Sequence, residues 1–468
     1  MVAPTKDILR HLQELMTRVD VLEKEVAQKD ARIAQLENEN KKLQSEVKHL
    51  RNIVDKNSSN SSKPPSSDGF KKVIHNGRVK SGKLPGGQLG HKGRFRKLFN
   101  NPTETIPLKR EFCECGCAIK YSGKKIIKQL ADLKMLLDVI EYHSYKGKCP
   151  CCKKKYQNEI AGLVNPVTYG NNLKALTVIL SAEGCVSVNR IKTFLQETSD
   201  GKINISEATI INWLGEMAGK TVDEIKEYKK NLLAGITLHK DETGAKIDKE
   251  PHWLHVLCNK NTTLYHMDKN RGNKADEAMG ILPVYKGTLV SDHFQALVTL
   301  KIARQECNAH IIRYLKAEVE KKRSWAAEMI CLLVTAHRET LVTGTKQELP
   351  SERISHFERE YDRIIDAGIQ EHKSSPERFE RTENIKLLER MKEFKTEHLL
   401  FLSRAEVPFD NNLAERALRM MKTKAKVSGC FRSETGAQNF AAIKSVLSTT
   451  KKRGGNLFQK TKSLFAGV

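Results

Sequence analysis

Apolar residues recur every three and four positions from Asp7 to about Lys56, which is the heptad spacing of a helix that pairs with another helix. Leucine prevails at one position of the repeat and β-branched residues at the other. The repeat consists of Leu12, Val19, Val26, Ile33, Asn40, Val47 and Val54 at one position and of Ile8, Leu15, Leu22, Lys29, Leu36, Leu43 and Leu50 at the other. With its single asparagine, this pattern predicts a parallel two-stranded coiled coil over residues 1–56, and a homodimer is the first interpretation. The alternatives are a heteromeric partner and a lone helix packed on its own chain.

Residues 57–101 contain almost nothing that a core could bury. They begin NSSNSSKPPSSD and continue through GRVKSGKLPGGQLGHKGRFRK, a mixture of Ser, Pro, Gly and basic residues. This composition predicts a basic flexible linker. Its cations either follow a DNA backbone or only keep the linker soluble.

Helical periodicity returns from Asn171 to about Lys230, in the segments LKALTVILSAEG, VNRIKTFLQET and SEATIINWLGEMAGK. Ser206 stands where an N-cap of the third segment is expected. We predict a helical domain over residues 166–232. Its last two segments resemble a DNA-reading helix-turn-helix, and the alternative is a helical packing domain.

After Leu233 the pattern changes to short strands, AGITLHKDETGAKI, PHWLHVLCNK and TTLYHMDKN, followed by the helix-like KADEAMGILPVY and the apolar strand GTLVSDHF. Three strands, a crossover helix and a fourth strand form the order of a ribonuclease H-like sheet. The fold class is therefore multidomain α+β, with an α/β catalytic domain over residues 233–450. Charged helical sequence predicts an insertion at about 305–405, and residues 451–468 form the C-terminal tail.

Three carboxylates are placed to meet in that topology. Asp241 lies on the first strand and Asp292 ends the fourth, while Glu415 lies in PFDNNLAERALRMMKTKAK, which has the apolar stripe of a helix. Asp410 or Asn411 can cap this helix, and Glu242 and Asp410 are lower-ranked substitutes in the site. An all-oxygen ligand set of this kind favours two Mg²⁺ or Mn²⁺ ions.

Charge points to a polyanionic partner. Lys and Arg number 81 against 56 Asp and Glu, a formal net charge of +25, so double-stranded DNA is the expected partner. The candidate DNA-binding residues are His310, Arg313, Arg416, Arg419, Lys422 and Lys426. No apolar run of 18 residues and no secretory signal are present, so we expect a cytoplasmic, nucleoid-associated protein without membrane contact.

Six of the 11 cysteines crowd between Cys113 and Cys152, in FCECGCAIK and KGKCPCCKKKY. Two short thiolate pairs predict one structural Zn²⁺ in a small module over residues 102–165. The candidate ligands are Cys113, Cys115, Cys117, Cys149 and Cys152, and the first pair is open among the first three. Free cytosolic thiols are the alternative.

The heptad helix, SSKPPSSD, GGQLGHKG, the cysteine pairs, DET, SD, CNAHIIRYLK and DNNLAERALR occur together and in this order. As a set they resemble the bacterial insertion-sequence transposases of family sixty-six along essentially the whole chain. The resemblance implies a DDE-type transposase whose three catalytic acids match Asp241, Asp292 and Glu415. The C-x-C of Cys113 and Cys115 departs from the more usual C-x-x-C of that family.

We therefore predict an enzyme that binds transposon ends and catalyses metal-dependent DNA cleavage and strand transfer into target DNA. Accessory proteins of the same element are further expected partners. The alternatives are a zinc-containing DNA-binding regulator with an inactive nuclease fold and a metal-dependent nuclease without strand transfer.

Overall fold

The structure is a computed structural model, and its described residues fall into two compact units that we treat separately. The described residues are 4–54, 56, 98, 100–112, 114–120, 126–131, 137–148, 150–152, 155–157, 167–342, 345–374 and 385–467. The larger unit contains Met1–Lys71, Val167–Lys192 and Ser206–Val468, and the smaller one contains Lys72–Pro166 and Thr193–Ile205.

The heptad segment is one long helix, α1 (Pro4–Val54). Its described seam side chains are exposed, from 47% at Leu36 to 78% at Val54. The described residues of the same chain therefore leave this seam uncovered. The pairing of two helices stays a prediction.

In the smaller unit the cysteine segments form tight turns. A bridge between Phe112 and Ala118 closes the first turn. The second lies between two antiparallel strands, β1 (Lys146–Lys148) and β2 (Lys155–Gln157).

The predicted helical region forms four helices, α2 (Asn171–Ala182), α3 (Val188–Thr198), α4 (Glu207–Gly219) and α5 (Val222–Leu233). Ser206 caps α4 as predicted, because its Oγ accepts a hydrogen bond from the Thr209 amide at 3.1 Å. Helix α4 contains no Lys or Arg, and its exposed residues include Ala208, Ile211 and Asn212. Recognition of DNA by this helix stays a prediction without support from its charge.

A five-stranded mixed sheet forms the centre of the larger unit. Along the chain its region contains β3 (Thr237–Ile247), β4 (Glu250–Cys258), β5 (Thr263–Asp268), α6 (Asn273–Met279), a 3-10 helix (Leu282–Val284), β6 (Thr288–Ser291), α7 (Gln295–Val298) and β7 (Ala303–Glu306). The spatial order is β5-β4-β3-β6-β7. The pairs β3–β4 and β4–β5 are antiparallel, whereas β3–β6 and β6–β7 are parallel.

The sheet has a fifth strand, β7, that the sequence analysis did not identify. Strand β7 reads ARQE, and its buried side chains are Arg304, Gln305 and Glu306. These side chains have polar or charged partners inside the fold, although Arg304 Nη1 has no hydrogen-bond partner among the described residues. Hydrophobic alternation therefore carries no signal for this strand. The helical insertion begins after Glu306.

The remaining elements are α8 (Asn308–Glu320), α9 (Ser324–Glu339), β8 (Leu341–Val342), β9 (Thr345–Lys346), α10 (Ser351–Lys373), α11 (Ile385–Glu393), α12 (Lys395–Leu399), a 3-10 helix (Leu400–Leu402), α13 (Asn412–Ser428), α14 (Glu434–Lys452) and α15 (Leu457–Ala466). Helices α8 to α12 share an apolar cluster that includes Trp325, Phe357 and Leu388. The insertion therefore has a core of its own.

The two faces of the sheet pack against different helices. Ala245 and Ile247 of β3 share a cluster with Leu418 of α13 and Phe440 of α14. Leu238 of β3 lies in another cluster, with residues of α5 and α6. No helix in the described part of the chain is long and apolar enough to cross a membrane.

Candidate active site

Two of the predicted acids come from neighbouring parallel strands, Asp241 from within β3 and Asp292 directly after β6. His239 on β3 pairs with Val290 on β6. Two positions further along each chain this register places Asp241 opposite Asp292. Adjacent strands lie about 4.8 Å apart, so these two carboxylates are neighbours.

The alternation of side chains sends both acids to the face covered by α13. Leu238 and Leu289 pair in the register and share the cluster on the α5 and α6 face. Asp241 and Asp292 are each three residues further on, so they point to the opposite face. The first turn of α13 carries Glu415 over this face.

The pKa of Asp241 reports the closeness of the acids. Burial, followed by the negative charges of Asp292 and Glu242, raises the pKa of Asp241 to about 8, and Glu415 adds to the effect. The Glu242 amide donates to Asp241 Oδ1 at 2.8 Å, which opposes the rise. The rise indicates that several carboxylates lie close together at this site.

Glu242 is held beside this cluster by an arginine. Burial and then Asp292 raise the pKa of Glu242, while Lys240 and Arg271 act in the opposite direction. Arg271 Nε donates to Glu242 Oε1 at 3.0 Å, and its guanidinium stacks over the rings of Trp253 and Phe294 at 4.6 and 4.5 Å. The arginine therefore fixes one oxygen of the carboxylate.

Two carboxylate oxygens in the cluster are buried and have no hydrogen-bond partner among the described residues. They are Asp292 Oδ1 and Glu242 Oε2. An unpaired buried carboxylate oxygen is costly unless a cation or another donor meets it. The donor set of Asp241, Asp292 and Glu415, all carboxylates, suits a hard divalent cation such as Mg²⁺.

Asn411 fastens the helix of Glu415 to the strand of Asp241. Its Nδ2 donates to the Lys240 carbonyl at 2.7 Å, and its Oδ1 accepts from His239 Nδ1 at 2.9 Å. Asn411 is 1% exposed, so both bonds are protected from water. The asparagine thereby sets the distance between β3 and the first turn of α13.

The predicted caps of α13 divide their roles. Asn411 stands at the N-cap position, but its side chain makes no capping hydrogen bond. Asp410 Oδ1 accepts from the Asn412 amide at 3.0 Å instead. Asp410 thus accepts a hydrogen bond at the start of the helix, as predicted, whereas the side-chain amide of Asn411 bonds to strand β3 instead.

Glu415 meets three side chains of the CNAHIIRYLK segment. Its Oε1 lies 3.9 Å from Cys307 Sγ and 3.7 Å from His310 Nδ1, and its Oε2 lies 3.7 Å from Arg313 Nη2. Burial and then Arg313 lower the pKa of His310. His310 and Arg313, predicted to contact DNA, are thus placed around a predicted catalytic acid.

A buried hydrogen-bonded chain begins next to Asp292. His293 Nδ1 lies 2.7 Å from Glu306 Oε1, and Glu306 Oε2 lies 3.2 Å from His398 Nε2. His398 Nδ1 is 2.7 Å from the Tyr361 hydroxyl. The chain connects the strand end at Asp292 to α10 and α12 of the insertion.

The predicted basic stripe of α13 is exposed along its length. Its members are Arg416, Arg419, Lys422 and Lys426. They follow Glu415 along the helix at spacings that keep them near one face. A polyanion lying along this face would reach the acid cluster.

The predicted zinc ligands are only partly described. Cys115, Cys117 and Cys152 are exposed, as is Cys151. Cys113 and Cys149 lie outside the described residues. The zinc site stays a prediction.

Sequence reasoning missed Arg271 and the chain through Glu306. Arg271 lies in a loop after β5, and no motif links it to Glu242, 29 positions away. Glu306 lies in the polar strand that the hydrophobic pattern did not reveal. The contact of Asn411 with the strand could have been suspected from the sequence, because Asn411 and Asn412 are adjacent and a helix needs only one N-cap residue.

Comparison with known families identifies two matching regions of the chain. Residues 166–439, more than half of the chain, match the Transposase IS66 family. Residues 1–97 match a family of unknown function. No curated protein matches the chain. The match contains Asp241, Asp292 and Glu415 together with the whole mixed sheet, and the chain belongs to the IS66 family of transposases.

Proposed function

We propose that Asp241, Asp292 and Glu415 hold divalent cations, two Mg²⁺ or Mn²⁺, and that the protein cleaves DNA at transposon ends and joins them to target DNA. The observation that carries the proposal is the convergence of three carboxylates from two strands and a helix, with the pKa of Asp241 raised to about 8. Clustered negative charge repels DNA phosphates, so a pure DNA-binding site gains nothing from it. A cation-binding site, in contrast, needs clustered carboxylates as its ligands.

The topology supports a ribonuclease H-like core for this chemistry. Three antiparallel strands are followed by two parallel ones, in the order β5-β4-β3-β6-β7. Asp241 lies two residues beyond the last residue of β3 that pairs with β6, and Asp292 directly follows β6, so both acids lie where the parallel pairing ends. The third acid arrives on a helix that packs on the same face.

The chain's own groups would position both cation and DNA. Asp292 Oδ1 and Glu242 Oε2 offer buried oxygens, while Arg313 stays with Glu415 Oε2. The stripe from Arg416 to Lys426 would bind phosphates beside the acids. Cations bound by the three acids would activate water or a DNA 3′-hydroxyl and stabilise the leaving oxygen. Hydrolysis would free a 3′-hydroxyl, which would then attack a target phosphodiester. The new bond to phosphorus replaces the bond to the 3′ oxygen of the target strand, which leaves as a hydroxyl, so this second step consumes no water.

The test uses full-length protein, labelled end DNA, target plasmid and Mg²⁺. Asp241→Asn, Asp292→Asn and Glu415→Gln each keep the side-chain shape and remove a charged ligand, so each should lower cleavage at least about 100-fold while end-DNA binding persists. Asp366→Asn is the matched control, because Asp366 is 60% exposed on α10. Full cleavage by any of the three variants removes that residue from the site.

The same assay separates the competing functions. Joined products support transposition, and cleavage without joining favours a nuclease. Binding with neither product favours a regulator with an inactive nuclease fold, or a requirement for accessory proteins that added element proteins would reveal.

We also propose that the smaller unit holds one structural Zn²⁺ through Cys149, Cys152 and two of Cys113, Cys115 and Cys117. The support is the exposure of Cys115, Cys117 and Cys152 on tight turns, where thiolates of separate turns can share a metal. Cys149→Ser with Cys152→Ser should lose one zinc per chain in metal analysis. An unchanged zinc content contradicts this site.

A further inference from the structure

A second, chemically different ligand set shares Glu415 with the carboxylate cluster. Cys307 Sγ, His310 Nδ1 and a Glu415 carboxylate oxygen lie within 4.8 Å of one another. Tetrahedral zinc, with bonds of about 2.3 Å to sulfur and about 2.0 Å to nitrogen and oxygen, places its ligand atoms roughly 3.3–3.6 Å apart. The observed separations of 3.9 and 3.7 Å to Glu415 Oε1 are a few tenths of an ångström longer. Small side-chain rotations would close the set around an ion.

The backbone holds these three groups in place. Cys307 follows β7, its amide donates to the Ser291 carbonyl at 2.8 Å, and it stands at the N-cap position of α8. His310 comes three residues later, one turn along α8, so both side chains lie on one side of the helix. The Asn411 amide donates to Cys307 Sγ at 3.3 Å, which ties the start of α13 to the thiol.

His310 Nδ1 supplies an independent sign of a missing ligand. This nitrogen is buried and has no hydrogen-bond partner among the described residues. A buried ring nitrogen without a partner is unfavourable, and a metal ion is one of the few groups that would satisfy it. The nitrogen points to the same oxygen of Glu415 that lies nearest Cys307.

The charges of the site allow a cation despite a nearby arginine. Arg313 lies at Oε2 of Glu415, whereas Cys307 and His310 both approach Oε1. The arginine can therefore keep its contact while Oε1 binds a metal. Burial raises the pKa of the Cys307 thiol to about 12, so binding must release the thiol proton to solvent, and the resulting thiolate neutralises part of the ion's charge.

We infer that Cys307, His310 and Glu415 form a site for a soft transition-metal cation, Zn²⁺, which inhibits the enzyme by withdrawing Glu415 from the carboxylate cluster. The inhibition rests on the proposed function, whereas the binding does not. Thiolate and imidazole favour Zn²⁺ over Mg²⁺, and the all-carboxylate set favours Mg²⁺. The two ligand sets share Glu415, so occupation of one weakens the other.

The experiment compares full-length wild type with Cys307→Ser by equilibrium dialysis in buffered Zn²⁺ and by Mg²⁺-dependent cleavage of end DNA at increasing Zn²⁺. Serine keeps an acceptor for the Asn411 amide but is a poor zinc ligand. We expect one bound zinc fewer per chain and an inhibitory Zn²⁺ concentration at least about tenfold higher, with the inhibition of each variant scaled to its own cleavage rate in Mg²⁺ alone. Cys331→Ser is the matched control, because Cys331 is exposed on α9.

Two results would overturn the inference: a zinc content equal to that of wild type in Cys307→Ser, or inhibition by Zn²⁺ that the substitution leaves unchanged. Cys307→Ala, checked for folding by thermal unfolding, must give the same zinc loss. If wild type fails to cleave in Mg²⁺ without zinc, the proposed function is at fault, and the zinc count still decides whether the site exists.

Discussion

At the scale of single residues, the active end of the sheet is organised by polar groups that are buried and paired. Lys240, fully buried next to Asp241, donates to both oxygens of Asp276 at 2.5 and 2.6 Å. Such a pair contributes little net stability, but removal of either partner leaves an unpaired buried charge. It fixes the strand beside the acid cluster to α6.

The pairing of Glu306 should make the free energy of unfolding depend on pH. Burial works to raise the pKa of Glu306, but hydrogen bonds from His293 and His398 lower it to about 2. Because the folded pKa is below the unfolded value, the unfolded chain binds a proton first on acidification. The stabilisation is therefore complete above about pH 4.5 and is lost as the pH falls towards 2.

Glu306→Gln should lower the free energy of unfolding by about 2–3 kcal/mol at pH 7, and the gap to wild type should narrow between about pH 4.5 and 2. Urea unfolding of both proteins at pH 7, 5 and 3 measures this difference in free energy. Glu352→Gln serves as the control, since Glu352 is exposed in the first turn of α10. A gap that does not change with pH would show that packing, not charge, accounts for the loss.

At the scale of elements, helix α14 covers the unpaired backbone at the β5 edge of the sheet. Strand β5 is an edge strand, and its backbone amides at Thr263 and Tyr265 donate to the hydroxyls of Thr449 and Ser445 on α14 at 3.0 and 2.8 Å. Covering the edge in this way prevents pairing with another chain. The C-terminal residues after 450 continue this protection, because α15 buries Phe465 in the core on the same face.

The apolar seam of helix α1 has no partner among the residues that the structure describes, and we propose that a second copy covers it. Leu22→Lys with Leu36→Lys should abolish self-association of full-length protein in sedimentation experiments, because both side chains are exposed members of the seam. Val21→Lys is matched in exposure and lies off the seam, so it should change nothing. Asn40→Val should strengthen association but relax the preference for two strands. A monomeric wild type would assign the seam to an accessory protein.

At the scale of the whole molecule, the net charge of +25 favours a polyanionic partner. Part of this positive charge lies on α13, directly after Glu415 of the acid cluster. DNA binding should weaken steeply with salt, because each neutralised phosphate releases counterions. The match to a transposase family agrees with this expectation.

Arg419→Gln with Lys422→Gln should reduce the slope of log K against log salt by about 1–2 in end-DNA binding, since each lost phosphate contact removes roughly 0.9. Lys230→Gln with Lys373→Gln is the charge-matched control, and both of these lysines are exposed on other helices. Equal slopes for the two double variants would place the DNA elsewhere.

Much of the molecule was predictable because local chemistry determines it. The heptad repeat predicts α1, Ser206 predicts the start of α4, and alternating apolar residues predict β3 to β6. Asp241, Asp292 and Glu415 could be selected because Asp241 lies on a predicted strand, Asp292 at the end of another and Glu415 on a predicted amphipathic helix. These features depend on neighbours within a few positions along the chain, which a sequence displays directly.

Other features depend on partners that are distant along the chain. Strand β7 is polar because Glu306 meets His398, 92 positions away, and Asn411 serves a strand 171 positions earlier rather than its own helix. Arg271 and the Cys307, His310 and Glu415 set likewise exist only once the sheet and α13 have packed. The sequence by itself determined the elements and their acids. Tertiary packing alone decided which buried polar group meets which, because burial removes water as the alternative partner.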